Sequence, residues 1–88
     1  LEAIVYGYVQ GVSYRYYTCR EAERLHLSGW VANQNDGTVK VVAEGSQASL
    51  QDLVNFLFRG SPAARVDHVK ADWLDATDEF SNFTARLL

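Results

Sequence analysis

The sequence predicts an α+β fold, with two helices packed on one face of a mostly antiparallel sheet. Three observations predict it. Short β-branched and aromatic runs alternate with two stretches of helical period. Their order is β-α-β-β-α-β, with one short strand added at the end. The 88 residues, 48% hydrophobic and 22% charged, have room for a single domain, 1–88, built on one core.

Residues 3–9, Ala-Ile-Val-Tyr-Gly-Tyr-Val, read as the first strand, and Gln10-Gly11-Val12 as a turn. A helical pattern spans 13–25, with Tyr14, Tyr17, Thr18, Ala22 and Leu25 on one face and Arg20, Glu21, Glu23 and Arg24 largely outside. It stops near Leu25-His26, where His tolerates the left-handed region better than most residues. Residues 29–33 form a second strand. Asn35-Asp36-Gly37 signals a tight hairpin, with Asp-Gly supplying positive φ. The third strand, 38–44, buries Val39, Val41 and Ala43 in alternation.

Ser46 can cap a second helix whose core stripe is Leu50, Leu53, Val54 and Leu57. Gly60 and Pro62 end it. A fourth strand, 66–74, carries Val69, Ala71 and Trp73 in alternation, and 75–79 is a turn. Phe83, Ala85 and Leu87 form the last strand. Trp30, Trp73, Phe56 and Phe58 are expected to be core or half-buried. Right-handed crossovers make the layout ferredoxin-like. Strands one and two then run the same way with strand three between them. That brings Gln10 to Arg15 and Asn33 to one edge of the sheet.

That edge has the makings of an anion site. Gln10-Gly11-Val12-Ser13 runs straight into a helix whose first N–H groups have no partner within it. Such groups carry partial positive charge and form a nest for an anion. Gly11 lets the backbone approach a ligand closely. Arg15, in the first helical turn, is opposed by the helix dipole, and a bound phosphate reverses that balance through a bidentate fork. Asn33 both donates and accepts, so it can hold a water against an electrophile, but it is no strong base. Together these groups point to attack of water on a phosphoryl centre, driven by positioning and charge stabilisation.

The same residues carry a family likeness. Tyr6-Gly7-Tyr8-Val9-Gln10-Gly11-Val12-Ser13-Tyr14-Arg15 resembles the acylphosphatase signature Gly-x-Val-Gln-Gly-Val-x-aromatic-Arg. Gly29-Trp30-Val31-Ala32-Asn33 with Asp36-Gly37-Thr38-Val39 resembles its second signature, and Gly60-Ser61-Pro62-Ala63-Ala64-Arg65-Val66 a third, less specific one. The resemblance implies metal-free hydrolysis of the carboxyl–phosphate bond of acyl phosphates, releasing a carboxylate and inorganic phosphate, without a cofactor. It implies that Arg15 and the loop amides of Gln10, Gly11, Val12, Ser13 and Tyr14 bind the phosphate. It further implies that Asn33 orients the attacking water, the substrate's own phosphate taking its proton. Ser13, Tyr14, His26 and Ala85 depart from the common pattern and bear on packing rather than chemistry.

Other readings are weaker. The eight basic and eleven acidic residues give a charge of −3, which disfavours nucleic acid as a partner. An RNA-recognition module would also display aromatics on strand three, which has none. No apolar run approaches the ~20 residues of a membrane span. No signal peptide is evident, although the chain begins at Leu1 and contains no Met. The single cysteine, Cys19, allows no intramolecular disulfide and favours a reduced, intracellular setting; a cytoplasmic monomer is expected. Cys19 lies one turn beyond Arg15, but the cysteine-phosphatase order, Cys before Arg, is reversed, so a packed thiol is expected. His26 and His68 lack metal-ligand spacing, and the acidic residues from Asp67 to Glu79 read as solubilising. The rival function is a non-catalytic, anion-binding accessory domain of a carbamoyl-handling maturation system.

Overall fold

The computed structural model describes residues 1–86. The elements are β1 (Glu2–Tyr8), α1 (Tyr14–Arg24), β2 (Ser28–Asn33), β3 (Val39–Glu44), α2 (Gln47–Leu57), β4 (Arg65–Asp72) and β5 (Phe83–Arg86). The sheet order is β4-β1-β3-β2-β5. Both β1 and β2 pair antiparallel with β3, so they run parallel to each other on either side of it. β4 pairs antiparallel with β1, and β5 pairs parallel with β2. This is the expected ferredoxin-like architecture with its added strand. The final position of that strand, Leu87, lies outside the described residues.

Alternation decides which face is covered. Ala3, Val31 and Val41 lie in one paired row across β1, β2 and β3, and none of them is exposed. The next row, Lys70, Ile4, Lys40, Ala32 and Arg86, points to the opposite face, away from the helices. Helix α1 buries Tyr14, Thr18 and Ala22 against the covered face, and α2 buries Leu50, Leu53, Val54 and Leu57. Complete burial of a residue such as Leu53 is worth about 2 kcal/mol. Ser46 caps α2 as its sequence suggested, accepting the Ser49 N–H at 3.2 Å.

Tyr14 ties the helices together. Its hydroxyl donates to the Leu57 carbonyl at 2.7 Å, satisfying an acceptor at the end of α2. Burial pushes the phenol pKa well up, so it stays a donor. Gly60 (φ +62°) closes over the ring; a Cβ there would sit 2.2 Å from Tyr14 Cε2. At the other end of α1, His26 takes φ +58°, the left-handed exit anticipated from its residue type.

Three local expectations need correction. The hairpin does not take positive φ at both Asp36 and Gly37. Asn35, Asp36 and Gly37 form a three-residue loop in which the Gly37 N–H donates to Gln34 O at 3.1 Å, and of these residues only Gly37 has positive φ. Trp73 falls beyond the end of β4 and is 48% exposed, while Phe58, just past α2, is 55% exposed. Residues 75–79 are part of a longer irregular link, 73–82, rather than a compact turn. The reason is topological: β4 and β5 occupy opposite edges, so the chain must cross four strand spacings, about 19 Å. The Glu44 carboxylate pins that crossing by accepting the N–H groups of Thr77 (2.6 Å) and Asp78 (3.1 Å). Those bonds hold its pKa below the usual carboxylate value.

Candidate active site

The parallel course of β1 and β2 makes their C-terminal ends neighbours of the α1 N-terminus. An open cleft of about 550 Å³ lies there, lined by Val9, Gly11, Ser13, Arg15, Tyr16, Cys19, Asn33 and Ala85. Residues from β1's exit, α1, β2 and β5 therefore meet in one place, as the strand layout required.

The loop entering α1 has the geometry of an anion nest. Gly11 has φ +73° and Ser13 φ +63°, while Val12 between them is not positive. Alternation of this kind turns successive N–H groups toward one concave side. A Cβ at Gly11 would meet nothing within 4 Å, so packing does not demand the glycine; its φ and the open approach do. Ser13 is the N-cap, but its side chain makes no capping bond, and the first helical N–H to be accepted is that of Tyr17, by Ser13 O at 3.2 Å. The donors of the first turn stay available to a guest. A left-handed serine with no compensating side-chain bond is strained. Ser13→Gly is thus expected to raise stability by roughly 0.5–1 kcal/mol and preserve activity. A lowered urea midpoint would show instead that the serine side chain holds the loop.

Arg15 is half-buried at the cleft wall. Its Nη1 donates to Arg86 O at 3.3 Å, a long and exposed bond, and it forms no ion pair among the described residues. Arg86 is paired with Ala32, the neighbour of Asn33, so this contact sets the guanidinium beside the end of β2. Asn33, paired with Val39, is the last residue of β2. Its Oδ1 is buried and has no hydrogen-bond partner among the described residues. Buried acceptors are nearly always paired, and the exceptions need a reason.

The predicted site residues divide by what they can offer. Gly11, Ser13, Arg15 and Asn33 line the cleft. Tyr14 turns its ring into the core and Val12 packs against the core's edge, so each presents only its backbone to an anion. The Gln10 side chain points away to the β2–β3 hairpin, where Nε2 donates to Gln34 O (2.7 Å) and Thr38 O (2.9 Å). Sequence reasoning missed Val9, Tyr16 and Ala85 as cleft walls. Ala85 could be placed only once β5 was known to pair with β2. Tyr16, next to Arg15 and 59% exposed, carries no such signal.

Cys19 shares the cleft but not the properties of a nucleophile. Burial first, and then the Glu23 carboxylate, push its thiol pKa up against the opposing pull of Arg15. No carboxylate or histidine lines the cleft, and no three His, Cys, Asp or Glu side chains gather as a metal-binding set among the described residues.

The comparisons with known proteins agree with this geometry. The acylphosphatase family model matches residues 1–85. An acylphosphatase from Salinibacter ruber is 43% identical over 86 residues, covering 98% of this chain and 90% of that protein. The crystal structure of acylphosphatase from Bacillus subtilis superposes with a TM-score of 0.93 at 35% identity, covering 97% of this chain and 94% of that one. An acylphosphatase from Coxiella burnetii gives 0.91 at 38% identity, with 97% and 88% covered.

Proposed function

The chain belongs to the acylphosphatase family, hydrolases of acyl phosphates, and on that premise we propose how its residues carry out the reaction. The phosphoryl oxygens of a small acyl phosphate sit in the nest of N–H groups from Gln10 to Tyr14. Arg15 leaves its long bond to Arg86 O and grips two of those oxygens through its fork. Charge that grows on the phosphoryl group meets the guanidinium and the positive end of α1. Asn33 holds a water on the other side of the phosphorus, its amide N–H donating to it or, once the side-chain amide turns over, its Oδ1 accepting from it. Water attacks phosphorus, the bond to the carboxylate oxygen breaks, and carboxylate and inorganic phosphate leave. The proton passes to a phosphate oxygen, because the described residues of the cleft wall include no carboxylate or histidine to act as a base.

The observation that supports this most is the sharing of one cleft by Gly11, Ser13, Arg15 and Asn33. The accessory-domain reading is not favoured, since the chain spans 90% of the length of a relative named acylphosphatase. The same proposal includes action as a one-domain monomer in the cytoplasm, without metal or cofactor. The test is acetyl phosphate hydrolysis, followed as phosphate release, before and after treatment with chelator. Turnover is expected to be unchanged by the chelator. Loss of activity restored by added metal would refute the metal-free mechanism. No turnover above background from folded protein would refute catalysis.

A further inference from the structure

We infer that the side chain of Gln10 is a positioning residue that sets Asn33 against the anion loop; this rests on the proposed role of Asn33. Gln10 lies at the mouth of the loop, immediately after Val9. Its amide nitrogen reaches across to the hairpin and spends its N–H groups on two carbonyls, Gln34 O at 2.7 Å and Thr38 O at 2.9 Å. Those residues directly follow Asn33 on one strand and precede Val39 on the other, and Asn33 and Val39 are themselves paired. The clip therefore holds both strands at the step where the water-steering amide sits.

The hairpin does not need this clip for its own shape. Thr38 O already accepts the Gln34 N–H at 2.8 Å, and Gln34 O accepts the Gly37 N–H. Asp36 Oδ1 accepts both the N–H (3.0 Å) and the hydroxyl (2.6 Å) of Thr38, and Gln34 Nε2 donates to Thr38 Oγ1 at 3.0 Å. The Thr38 hydroxyl first, and then its N–H, hold the Asp36 carboxylate pKa down, so the brace is charged at neutral pH. With the hairpin closed from within, Gln10 governs where it stands relative to the nest. Asn33 Oδ1 has no partner of its own among the described residues to correct a shift. A misplacement of about 1 Å at a reacting centre can cost up to about 10²-fold in rate.

The experiment is a double-mutant cycle of Gln10→Met with Asn33→Ala, reading kcat on acetyl phosphate and inhibition by inorganic phosphate. Methionine keeps the bulk and the backbone N–H of residue 10 but donates nothing from its side chain. Gln10→Met alone is expected to lower kcat about tenfold, with phosphate inhibition held within about twofold. In the Asn33→Ala background the same change is expected to have no further effect on kcat, because its route of action is gone. An unchanged kcat in the single variant, or an equal loss in both backgrounds, overturns the inference while leaving Asn33's role standing. An Asn33→Ala protein as fast as wild type overturns both. A second measurement needs no variant. The Gln10 side-chain amide protons should exchange slowly and show coupling across hydrogen bonds to the Gln34 and Thr38 carbonyls by NMR. Free, fast-exchanging amide protons would equally overturn the positioning role.

Discussion

Arg15→Ala is expected to lower kcat/KM by about 10²-fold or more and to abolish inhibition by inorganic phosphate. Both losses follow from one geometry. Among the described residues the guanidinium is the sole basic side chain at the cleft wall, and no carboxylate there competes for it. Removing it takes away ground-state affinity and the charge that the transition state needs. The fold should be indifferent, since among the described residues the side chain makes a single exposed bond of 3.3 Å. Arg15→Lys should recover part of the affinity but less of the rate, a point charge being a poor substitute for a fork. The substitution to alanine also removes the one influence that lowers the Cys19 pKa, so thiol alkylation should slow. Phosphate that still inhibits Arg15→Ala at the wild-type concentration would place the anion elsewhere.

Asn33→Ala is the complementary case. Turnover should fall by about 10²-fold, while phosphate inhibition changes little, because a water and not the anion loses its holder. Stability should move the other way. The Oδ1 of Asn33 is buried without a partner among the described residues, and such a group costs about 1–3 kcal/mol. Its deletion should leave the thermal midpoint unchanged or raise it. A variant that loses turnover and gains stability separates a group kept for chemistry from one kept for folding. Equal losses of turnover and phosphate binding would mean that Asn33 grips the phosphate itself. A lowered thermal midpoint would mean that it supports the fold.

The fold was largely legible where local pattern and final burial coincide. The stripe Leu50, Leu53, Val54, Leu57 and the alternation Val39, Val41, Ala43 are buried as their spacing required. Ser46 and His26 took the conformations that their residue types favour. Misreadings arose where distant geometry decides. Trp73 continues the alternation of β4, yet the strand ends at Asp72 because the chain must turn away to cross the sheet. The register shift between Tyr6 and Gly7 on β1 has no signal in spacing alone. Arg15 and Asn33 could be placed together because topology forces two parallel strand ends to the same side. The direction of the Gln10 side chain could not. An amide beside a glycine loop can face a ligand or the neighbouring hairpin with equal chemical sense, and only packing selects the second.

The cleft draws its walls from Val9 near the start of the described chain and from Ala85 near its end, with Arg86 O holding the guanidinium at rest. A nascent polypeptide emerging from the ribosome therefore lacks one wall of this cleft, and the resting partner of Arg15, until β5 has docked. Contacts of such long sequence separation also form late and slowly. Catalytic turnover recovered after dilution from denaturant is accordingly a stringent clock for complete refolding, and no earlier, partly collapsed species should register on it.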